Sequence, residues 1–290
     1  MAYFFHLLII INIYIILALA TNLLVGVTGL LSLSQAAFYG IGAYLTVLSL
    51  NVFNLTLIPS ILFILLISGC IGLLIAYPSL KLKGDYFVLA TLSFQFIVFS
   101  VFYNWSPITK GPYGISGILK PTLFGKIPIT GLTAFLAVST ILTVIMVFIF
   151  HRLIYSPFGR LLKGIRDDEI AIMSIGRDVT RYKTVAFIIS SGIMALPGII
   201  FATYMSYIDP TSFNLDESIF ILCTVLIGGA GNIKGPIVGS VFLVIIPEAL
   251  RFIGLPETIA ANVRQIIYGL VLIFLMRYRP EGIAGEYGIK

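Results

Sequence analysis

Long apolar runs alternate with short polar stretches along this chain of 290 residues. A helix that crosses about 30 Å of hydrocarbon needs about 20 mostly apolar residues, because each residue adds about 1.5 Å to its length. The runs that predict such helices lie at about 3–20, 55–77, 86–103, 129–150, 184–208 and 260–277. The first run has neither a basic flank nor a clear small-residue cleavage site, so it is expected to be a retained helix rather than a signal peptide.

Two further apolar regions are interrupted by polar residues and glycines. The first, 21–50, is broken at Thr21 and Asn22 and again over 26–35, and the second, 218–250, has a glycine-rich run at its middle. Broken helices are tolerated at membrane depth only where they are buried in protein or line a cavity. Ordinary helices with glycine-rich packing faces are the alternative. With both regions counted, the sequence predicts an all-α polytopic membrane protein of about eight transmembrane helices, two of them broken or re-entrant.

The two interrupted regions resemble each other. Residues 24–29 can be aligned with residues 226–231, which indicates a possible internal duplication of the kind that transporters use. Interrupted helices free backbone polar groups, and small residues let a ligand approach them closely. The residues predicted to line a translocation path are Gly29, Ser32, Ser34, Gln35, Gly228, Gly229 and Gly231. The alternative is that these glycines only pack helices together.

The composition places the chain among membrane proteins. Hydrophobic residues make up 59% and charged residues 10%, against about 45–50% and about 25% in a soluble domain. These figures exclude a soluble globular domain, a disordered chain, a coiled coil, collagen and a nucleic-acid-binding protein. Cys70 and Cys223 lie in apolar runs, so they predict packing residues rather than a disulfide framework or a metal site.

The basic residues predict the orientation of the spans. Segment 151–183 is the longest polar stretch and carries seven of the eighteen lysines and arginines, so the positive-inside rule places it in the cytoplasm. Alternation then places loop 78–85 and the C-terminal tail inside, and loops 104–128 and 209–217 outside. The outer loop 104–128 carries three lysines on the unexpected side. The outer loop 209–217 carries Asp209, Asp216 and Glu217 and no basic residue.

Known catalytic motifs are absent from the sequence. There is no GxxxxGK[ST] loop to hold phosphates, no GxSxG elbow and no HExxH helix. His6 and His151 have no Cys, Asp or Glu at metal-ligand spacing. Of the acids, only Glu248 falls within a predicted membrane segment, whereas ion-coupled transporters usually bury more charge. The sequence therefore predicts a protein that is not an enzyme and that binds no metal or cofactor.

A short helix is predicted within segment 151–183, at about 167–175. Asp167, Asp168 and Glu169 would stand in its first turn, where the helix dipole favours acids. Gly176 stands where a C-terminal stop is expected. A helix of this length is not stable alone in water, which favours docking into the groove of a partner protein. A helix that lies on the membrane surface is the alternative.

The motifs of this segment resemble a known family. Residues 156–160, residues 165–171, Gly176 and residues 180–183 are similar to the cytoplasmic coupling loop of branched-chain amino acid ABC-importer permeases, most closely the M-type subunit of the paired permeases. Similar stretches follow the same order at 29–44, 84–87, 109–117 and 228–239. The resemblance covers nearly the whole chain. It departs at Gln35, where the family often has His, and at Gly176, which follows Glu169 by one position more than is common.

The resemblance implies a single permease domain, 1–290, with a coupling loop at 151–183. It also implies a second, H-type permease subunit, two cytoplasmic ATPases that bind the ATP, an extracytoplasmic solute-binding protein that delivers Leu, Ile or Val, and the cell membrane of a prokaryote. The residues implied to couple the permease to the ATPases are Arg166, Asp167, Asp168, Glu169, Ala171 and Gly176.

Three other functions are open at this point. A urea or short-amide permease of the same superfamily would have a similar sequence, and genomic neighbours would distinguish it. A stand-alone secondary transporter would move its substrate on an ion gradient without ATPase partners. A structural membrane scaffold is disfavoured by the interrupted helices and the predicted docking helix.

Overall fold

The computed structural model describes residues 2–82, 84–123, 127–251, 269–270, 277 and 282–284. Within this part of the chain, five helices are long and apolar enough to cross a membrane, and they match the first five predicted spans. The fold is therefore that of an all-α polytopic membrane protein. The sixth predicted span, 260–277, falls almost entirely outside the described residues.

Most of the helices follow one another with short connections, whereas the connection between Thr109 and Leu132 is long and carries three short strands. The helices are α1 (Ala2–Asn22, continued by a wide π turn, Leu23–Val27), α2 (Gln35–Val47, continued by a π turn, Leu48–Val52), α3 (Leu57–Ser79), α4 (Asp85–Asn104), α5 (Ser106–Thr109), α6 (Leu132–Tyr155), α7 (Pro157–Asp167), α8 (Glu169–Ser174), α9 (Val179–Met205), α10 (Leu215–Gly228) and α11 (Lys234–Arg251). Four two-residue strands, β1 (Ile115–Ser116), β2 (Thr122–Leu123), β3 (Ile127–Pro128) and β4 (Tyr207–Ile208), form two antiparallel pairs, β1 with β4 and β2 with β3.

Helices α1 and α9 form the centre of the protein. In each of them 78% of the residues in an apolar stretch of 18 residues are buried, whereas the share is 28% in α3 and α4 and 22% in α6. Helix α2 crosses α9 at backbone contact, because a Cβ atom at Gly42 would collide with the carbonyl group of Ala195, and one at Gly198 would collide with the backbone of Gly42 and Ala43. Small residues at such crossings let helices associate in lipid. The outer helices α3, α4 and α6 leave many apolar side chains for lipid contact.

The first interrupted region differs from the prediction. The expected break at Thr21 and Asn22 is wrong, since the helix continues through both residues to Val27. Thr21 donates its hydroxyl group to the Leu17 carbonyl oxygen of the same helix, and the Asn22 side chain bonds to another segment, so neither removes a backbone hydrogen bond. The actual break is the non-helical stretch 28–34. The second predicted break is confirmed, between the end of α10 and the start of α11.

The strand pair β1–β4 places two predicted outer loops at the same end of the protein. Ile115 of loop 104–128 pairs with Ile208, which directly precedes loop 209–217. This agrees with the alternation inferred from the basic residues. Loop 209–217 does not stay at that end, however. Phe213 is 1% exposed and packs against aromatic rings of α2, α4 and α9, so the chain turns back into the protein before α10 begins.

Cysteine labelling tests this orientation. Tyr113 of loop 104–128 is 88% exposed and Thr180 of segment 151–183 is also exposed, so a cysteine at either position meets water. We expect a membrane-impermeant thiol reagent to label Tyr113→Cys in intact cells and to label Thr180→Cys only after permeabilisation. The natural Cys70 and Cys223 are replaced by alanine in both variants. The reverse labelling pattern would overturn the orientation.

Candidate functional site: segment 151–183 and the two helix breaks

Segment 151–183 contains two complete helices rather than one, between the end of α6 and the start of α9. Helix α7 begins at Ser156, whose hydroxyl group accepts a hydrogen bond from the Gly159 N–H, and Pro157 occupies its first position. The sequence analysis missed this helix, although a serine followed by proline is a standard start signal. The predicted helix at 167–175 is observed as the shorter α8. Asp167 ends α7, so the expectation that Asp167 belongs to the first turn of the docking helix is wrong.

Helix α8 presents an exposed apolar surface. Asp168 caps it by accepting hydrogen bonds from the N–H groups of Ile170 and Ala171, each at 3.0 Å. Beyond the helix, Gly176 has a φ of +79°, which suits glycine at a C-terminal stop. Ile170, Met173 and the following Ile175 are 78%, 49% and 66% exposed. We define these three residues as the α8 apolar face.

Two contacts hold α8 against the rest of the protein. The Lys183 Nζ atom of α9 lies 2.6 Å from a carboxylate oxygen of Glu169. On the other side, Ile172 covers Gly164 of α7, where a Cβ atom would lie 3.1 Å from the Ile172 Cδ1 atom. Glu169 therefore anchors α8 internally, and the α8 apolar face is left outward.

A groove lies beside α8 at the start of α9. It has a volume of about 480 Å³ and is lined by Phe158, Gly176, Arg177, Asp178, Arg181, Tyr182 and Val185. The rings of Phe158 and Tyr182 are 5.9 Å apart between centroids and form its aromatic part. The two arginines give it positive charge. The groove begins at Gly176, directly after Ile175 of the α8 apolar face, so the two together form a candidate docking surface for a partner protein.

Arg166 connects this loop to the first helix break. Its Nη1 atom donates to the Gly26 carbonyl oxygen at 2.5 Å, and its side chain is 10% exposed. The last carbonyl groups of a helix have no partner within the helix, so this bond satisfies one that the break would otherwise leave open. Gly29, at a φ of +75°, lies against the same side chain, since a Cβ atom there would be 2.8 Å from the Arg166 Cγ atom. Arg166 also forms an ion pair of 3.0 Å with Asp167, next to the cap of α8.

Two N–H groups at the start of α2 form hydrogen bonds with side chains from two other helices. The Ala37 N–H donates to the Gln95 Oε1 atom at 2.7 Å, and the Ala36 N–H donates to the Ser218 hydroxyl oxygen at 2.9 Å. Ser218 in turn donates to Gln95 at 3.1 Å, and the Gln95 Nε2 atom donates to the Phe213 carbonyl oxygen at 2.8 Å. Unpaired N–H groups are costly in a membrane. Gln95 and Ser218 thus let α2 begin inside the protein, and the sequence analysis did not identify either residue.

Replacing Gln95 with methionine is expected to destabilise the protein by about 2–4 kcal/mol, because it leaves buried polar groups of α2, α10 and residue 213 unpaired while keeping the volume. The measurement is the unfolding midpoint of the protein purified in detergent. Ser100→Met on the exposed side of the same helix is the control and should unfold like the unsubstituted protein. Equal midpoints for both variants would show that Gln95 does not support the break.

Three of the predicted path residues lie together at the end of the first break and the start of α2. The hydroxyl oxygens of Ser32 and Ser34 are 2.9 Å apart and both side chains are buried. Gln35 is fully buried, and its Nε2 atom donates to the Ser32 carbonyl oxygen at 2.6 Å. Its Oε1 atom has no hydrogen-bond partner among the described residues. This buried carbonyl oxygen can therefore accept a further hydrogen bond.

The glycines of the second break lie against the end of α1. The Asn22 Oδ1 atom accepts from the Gly231 N–H at 2.9 Å, and its Nδ2 atom donates to the Asn232 carbonyl oxygen at 2.7 Å. Gly229 and Gly231 have φ values of +106° and +93°, which side chains rarely adopt. A Cβ atom at Gly228 would collide with the backbone of α11. The end of α1 therefore meets the second break through Asn22, and Gly228, Gly229 and Gly231 serve close packing there.

The geometry joins three parts of the protein in series. Segment 151–183 reaches the end of α1 through Arg166 and Gly26, and the end of α1 reaches the second break through Asn22. The matched residues of the suggested duplication, Gly29 and Gly231, both have positive φ and both follow a helix end. This similarity agrees with an internal duplication, which stays a prediction.

Comparison with known proteins gives one family. The profile of the branched-chain amino acid transport system permease component matches residues 3–276. The permease LivM of a high-affinity branched-chain amino acid transport system from Salmonella typhimurium is 35% identical, over 93% of this chain and 67% of its own length. A probable LivM and a probable LivH from Methanocaldococcus jannaschii are 28% and 22% identical, over 79% and 94% of this chain and 68% and 89% of theirs.

No solved structure matches the chain, so the family assignment rests on sequence. The profile match extends from α1 to beyond α11 and includes segment 151–183 and both helix breaks. Such a match over nearly the full length is not confined to a short apolar segment that any membrane protein could share. This chain of 290 residues therefore belongs to the family of branched-chain amino acid transport system permease components.

Proposed function

We propose that the protein is the permease subunit of an ATP-driven importer that carries leucine, isoleucine and valine across the cell membrane of a prokaryote. The observation that carries this proposal is the 35% identity to a LivM permease over 93% of the chain. In the proposed importer it pairs with a LivH-type permease, receives the amino acid from an extracytoplasmic solute-binding protein, and is driven by two cytoplasmic ATPases. The chain itself binds no cofactor in this scheme.

The ATPases dock on segment 151–183. Its α8 apolar face is exposed on a short helix that the Glu169–Lys183 ion pair keeps in place, and helix-in-groove contacts use such apolar residues as anchors. The aromatic and arginine-lined groove beside it extends the contact. Of the residues that resemblance assigns to coupling, Gly176 lines the groove and Ala171 is exposed beside the α8 apolar face, whereas Asp168 caps α8 and Glu169 ties it to Lys183.

Arg166 passes the movement of the docked ATPases to the transport path. It binds the Gly26 carbonyl oxygen at one end and pairs with Asp167, beside α8, at the other. When ATP binding draws the ATPases together, the displacement of α8 pulls on this contact and moves the end of α1. Since Asn22 ties the end of α1 to the second break, both breaks respond to one movement.

The amino acid passes beside the two breaks, near Ser32, Ser34 and Gln35. The residues there are small or polar, and Gln35 keeps an unpaired carbonyl oxygen. The permease binds the amino acid only weakly in this proposal, because the solute-binding protein imposes the selectivity and tight binding in the permease would slow release. Glycines of the second break shape the other side of the path through their close packing.

Replacing Ser34 with leucine is expected to block uptake by narrowing the path, whereas Ser34→Ala should keep most of it. Ser34 suits this test better than Gly29 or Gly229, because those glycines adopt positive φ values at which leucine strains the backbone. Leucine uptake is measured in cells, with surface expression and partner assembly checked in parallel. Normal uptake by an assembled Ser34→Leu variant would remove the first break from the path.

Substrate uptake in a strain that lacks this gene tests the proposed function. The expected result is loss of radiolabelled leucine uptake, restored by the intact gene, with competition by isoleucine and valine and none by urea. Competition by urea with no effect of isoleucine or valine would instead assign the protein to urea or short-amide transport.

A further inference from the structure

Glu217 lies level with the middle of two candidate membrane spans, whereas the sequence analysis placed it in an outer loop. The hydroxyl group of Tyr14 donates to the Glu217 Oε1 atom at 2.7 Å, and Tyr14 is at the midpoint of the 26-residue span Ala2–Val27. The next residue, Ser218, donates to Gln95 at 3.1 Å, and Gln95 is at the middle of the 20-residue helix α4. Two separate spans thus assign the same depth to this carboxyl group.

The Glu217 side chain is also partly exposed in the isolated chain. A carboxylate that faces lipid at the centre of a bilayer costs about 2.5–3.5 kcal/mol by membrane-insertion scales, so such groups face a protein interface or a water-filled cavity. Among the described residues, the ion pairs are Arg166–Asp167 and Lys183–Glu169 and do not include Glu217. The charge of Glu217 is therefore open to a cation that comes from outside this part of the chain.

The surroundings of Glu217 fit an amino acid with an apolar side chain. Phe220 follows one helical turn later, and its ring meets the Tyr14 ring edge-on with 5.0 Å between centroids. Phe220 is partly exposed like Glu217. A carboxylate beside aromatic faces is the usual recognition element for an ammonium group, and the rings offer an apolar surface to a branched aliphatic chain.

The first break adjoins this place. The Ala36 N–H donates to the hydroxyl oxygen of Ser218, the residue after Glu217, and Gln35, with its unpaired Oε1 atom, directly precedes Ala36. This hydrogen bond joins the residue after Gln35 to the residue after Glu217, so the path residue Gln35 and the carboxylate of Glu217 belong to neighbouring parts of α2 and α10. This placement connects Glu217 to the path.

We propose that Glu217, Tyr14 and Phe220 form a transient binding site for the ammonium group of an amino acid in transit. Glu217 attracts the ammonium group, the Tyr14 hydroxyl group holds the carboxylate in position, and the two rings contact the side chain. The inference rests on the proposed function for the identity of the substrate. A purely structural role, in which Glu217 only complements the dipole at the start of α10, is the competing explanation.

Charge-selective labelling of a cysteine tests the site without relying on transport. The probe is Phe220→Cys in the assembled importer, with Cys70 and Cys223 replaced by alanine. The labelling rate of this cysteine is measured with two methanethiosulfonates, one with a quaternary ammonium group and one with a sulfonate. Each rate is divided by the rate of the same reagent with a free thiol. We expect a preference of about tenfold for the cationic reagent, from one charge a few ångströms away, and its loss in Glu217→Gln. Equal rates, a preference unchanged by Glu217→Gln, or no reaction at all would overturn the inference.

Uptake by the same importer completes the test. Glu217→Gln keeps an acceptor for Tyr14 and removes the charge, so we expect at least about a tenfold loss of leucine uptake with normal assembly. The control Asp216→Asn removes the neighbouring exposed acid and should leave uptake unchanged. Normal uptake by Glu217→Gln would overturn the inference. If the unsubstituted importer moved no leucine, the proposed function would fail, while the labelling preference would still report on the cation site.

Discussion

Replacing Ile170 and Met173 together with aspartate is expected to abolish leucine uptake by releasing the ATPases from the permease. The two side chains are exposed on α8 and have no role in the core of the protein. Exposed apolar anchors dominate such interfaces, and truncating one commonly costs about 2–4 kcal/mol of binding. Two aspartates in place of these two anchors would place charges within the interface, so the ATPases should no longer bind stably. The measurement is co-purification of the ATPases with the tagged permease.

The control for this variant is Thr180→Asp. Thr180 is exposed in the first turn of α9, where the helix dipole favours an acid, so this variant adds negative charge nearby without touching the α8 apolar face. It should retain the ATPases and transport. If the double variant also retained them, with the permease inserted normally, α8 would not be the docking helix.

Replacing Arg166 with alanine is expected to uncouple ATP hydrolysis from transport while the ATPases stay bound. Arg166 does not belong to the α8 apolar face but bonds to Gly26 at the first break. Loss of a hydrogen bond to a charged group costs about 1.5–3 kcal/mol, which shifts an equilibrium between two conformations about 10- to 100-fold. ATP hydrolysis should continue, and the number of leucine molecules moved per ATP should fall by a similar factor.

Arg166→Lys separates the contact from the charge. Lysine keeps the positive charge but lacks the planar group that reaches Gly26 while pairing with Asp167, so it should restore only part of the coupling. Co-purification of the ATPases is measured for both variants. A loss of ATPase binding in Arg166→Ala would make Arg166 a docking residue and contradict the role assigned to it.

The long spans could be predicted from the sequence because their signal is local. About 20 apolar residues in a row suffice to cross a bilayer, and α1, α3, α4, α6 and α9 each meet this condition. The second break was predictable for a similar reason, since its glycines permit the positive φ values seen at Gly229 and Gly231. The short helix α8 followed from an acidic start and a glycine stop.

The contacts between distant residues could not be predicted in this way. Thr21 and Asn22 read as a break because both are polar, yet Asn22 pairs with a segment about 210 positions later and leaves its own helix intact. Gln95 looks like one polar residue within an apolar span, and its partners come from three other parts of the chain. Glu217 looks like a loop acid because only the folded chain shows that residues 210–217 turn inward.

Reconstitution tests the central claim most directly. The permease is placed in liposomes with its LivH-type partner and the two ATPases, with ATP on the ATPase side and leucine-loaded binding protein on the other. We expect leucine to be transported only when ATP and all partners are present, and to stop when the α8 apolar face is disrupted by the aspartates at Ile170 and Met173. Leucine transport by this chain alone on a proton or sodium gradient, without ATP, would contradict the account.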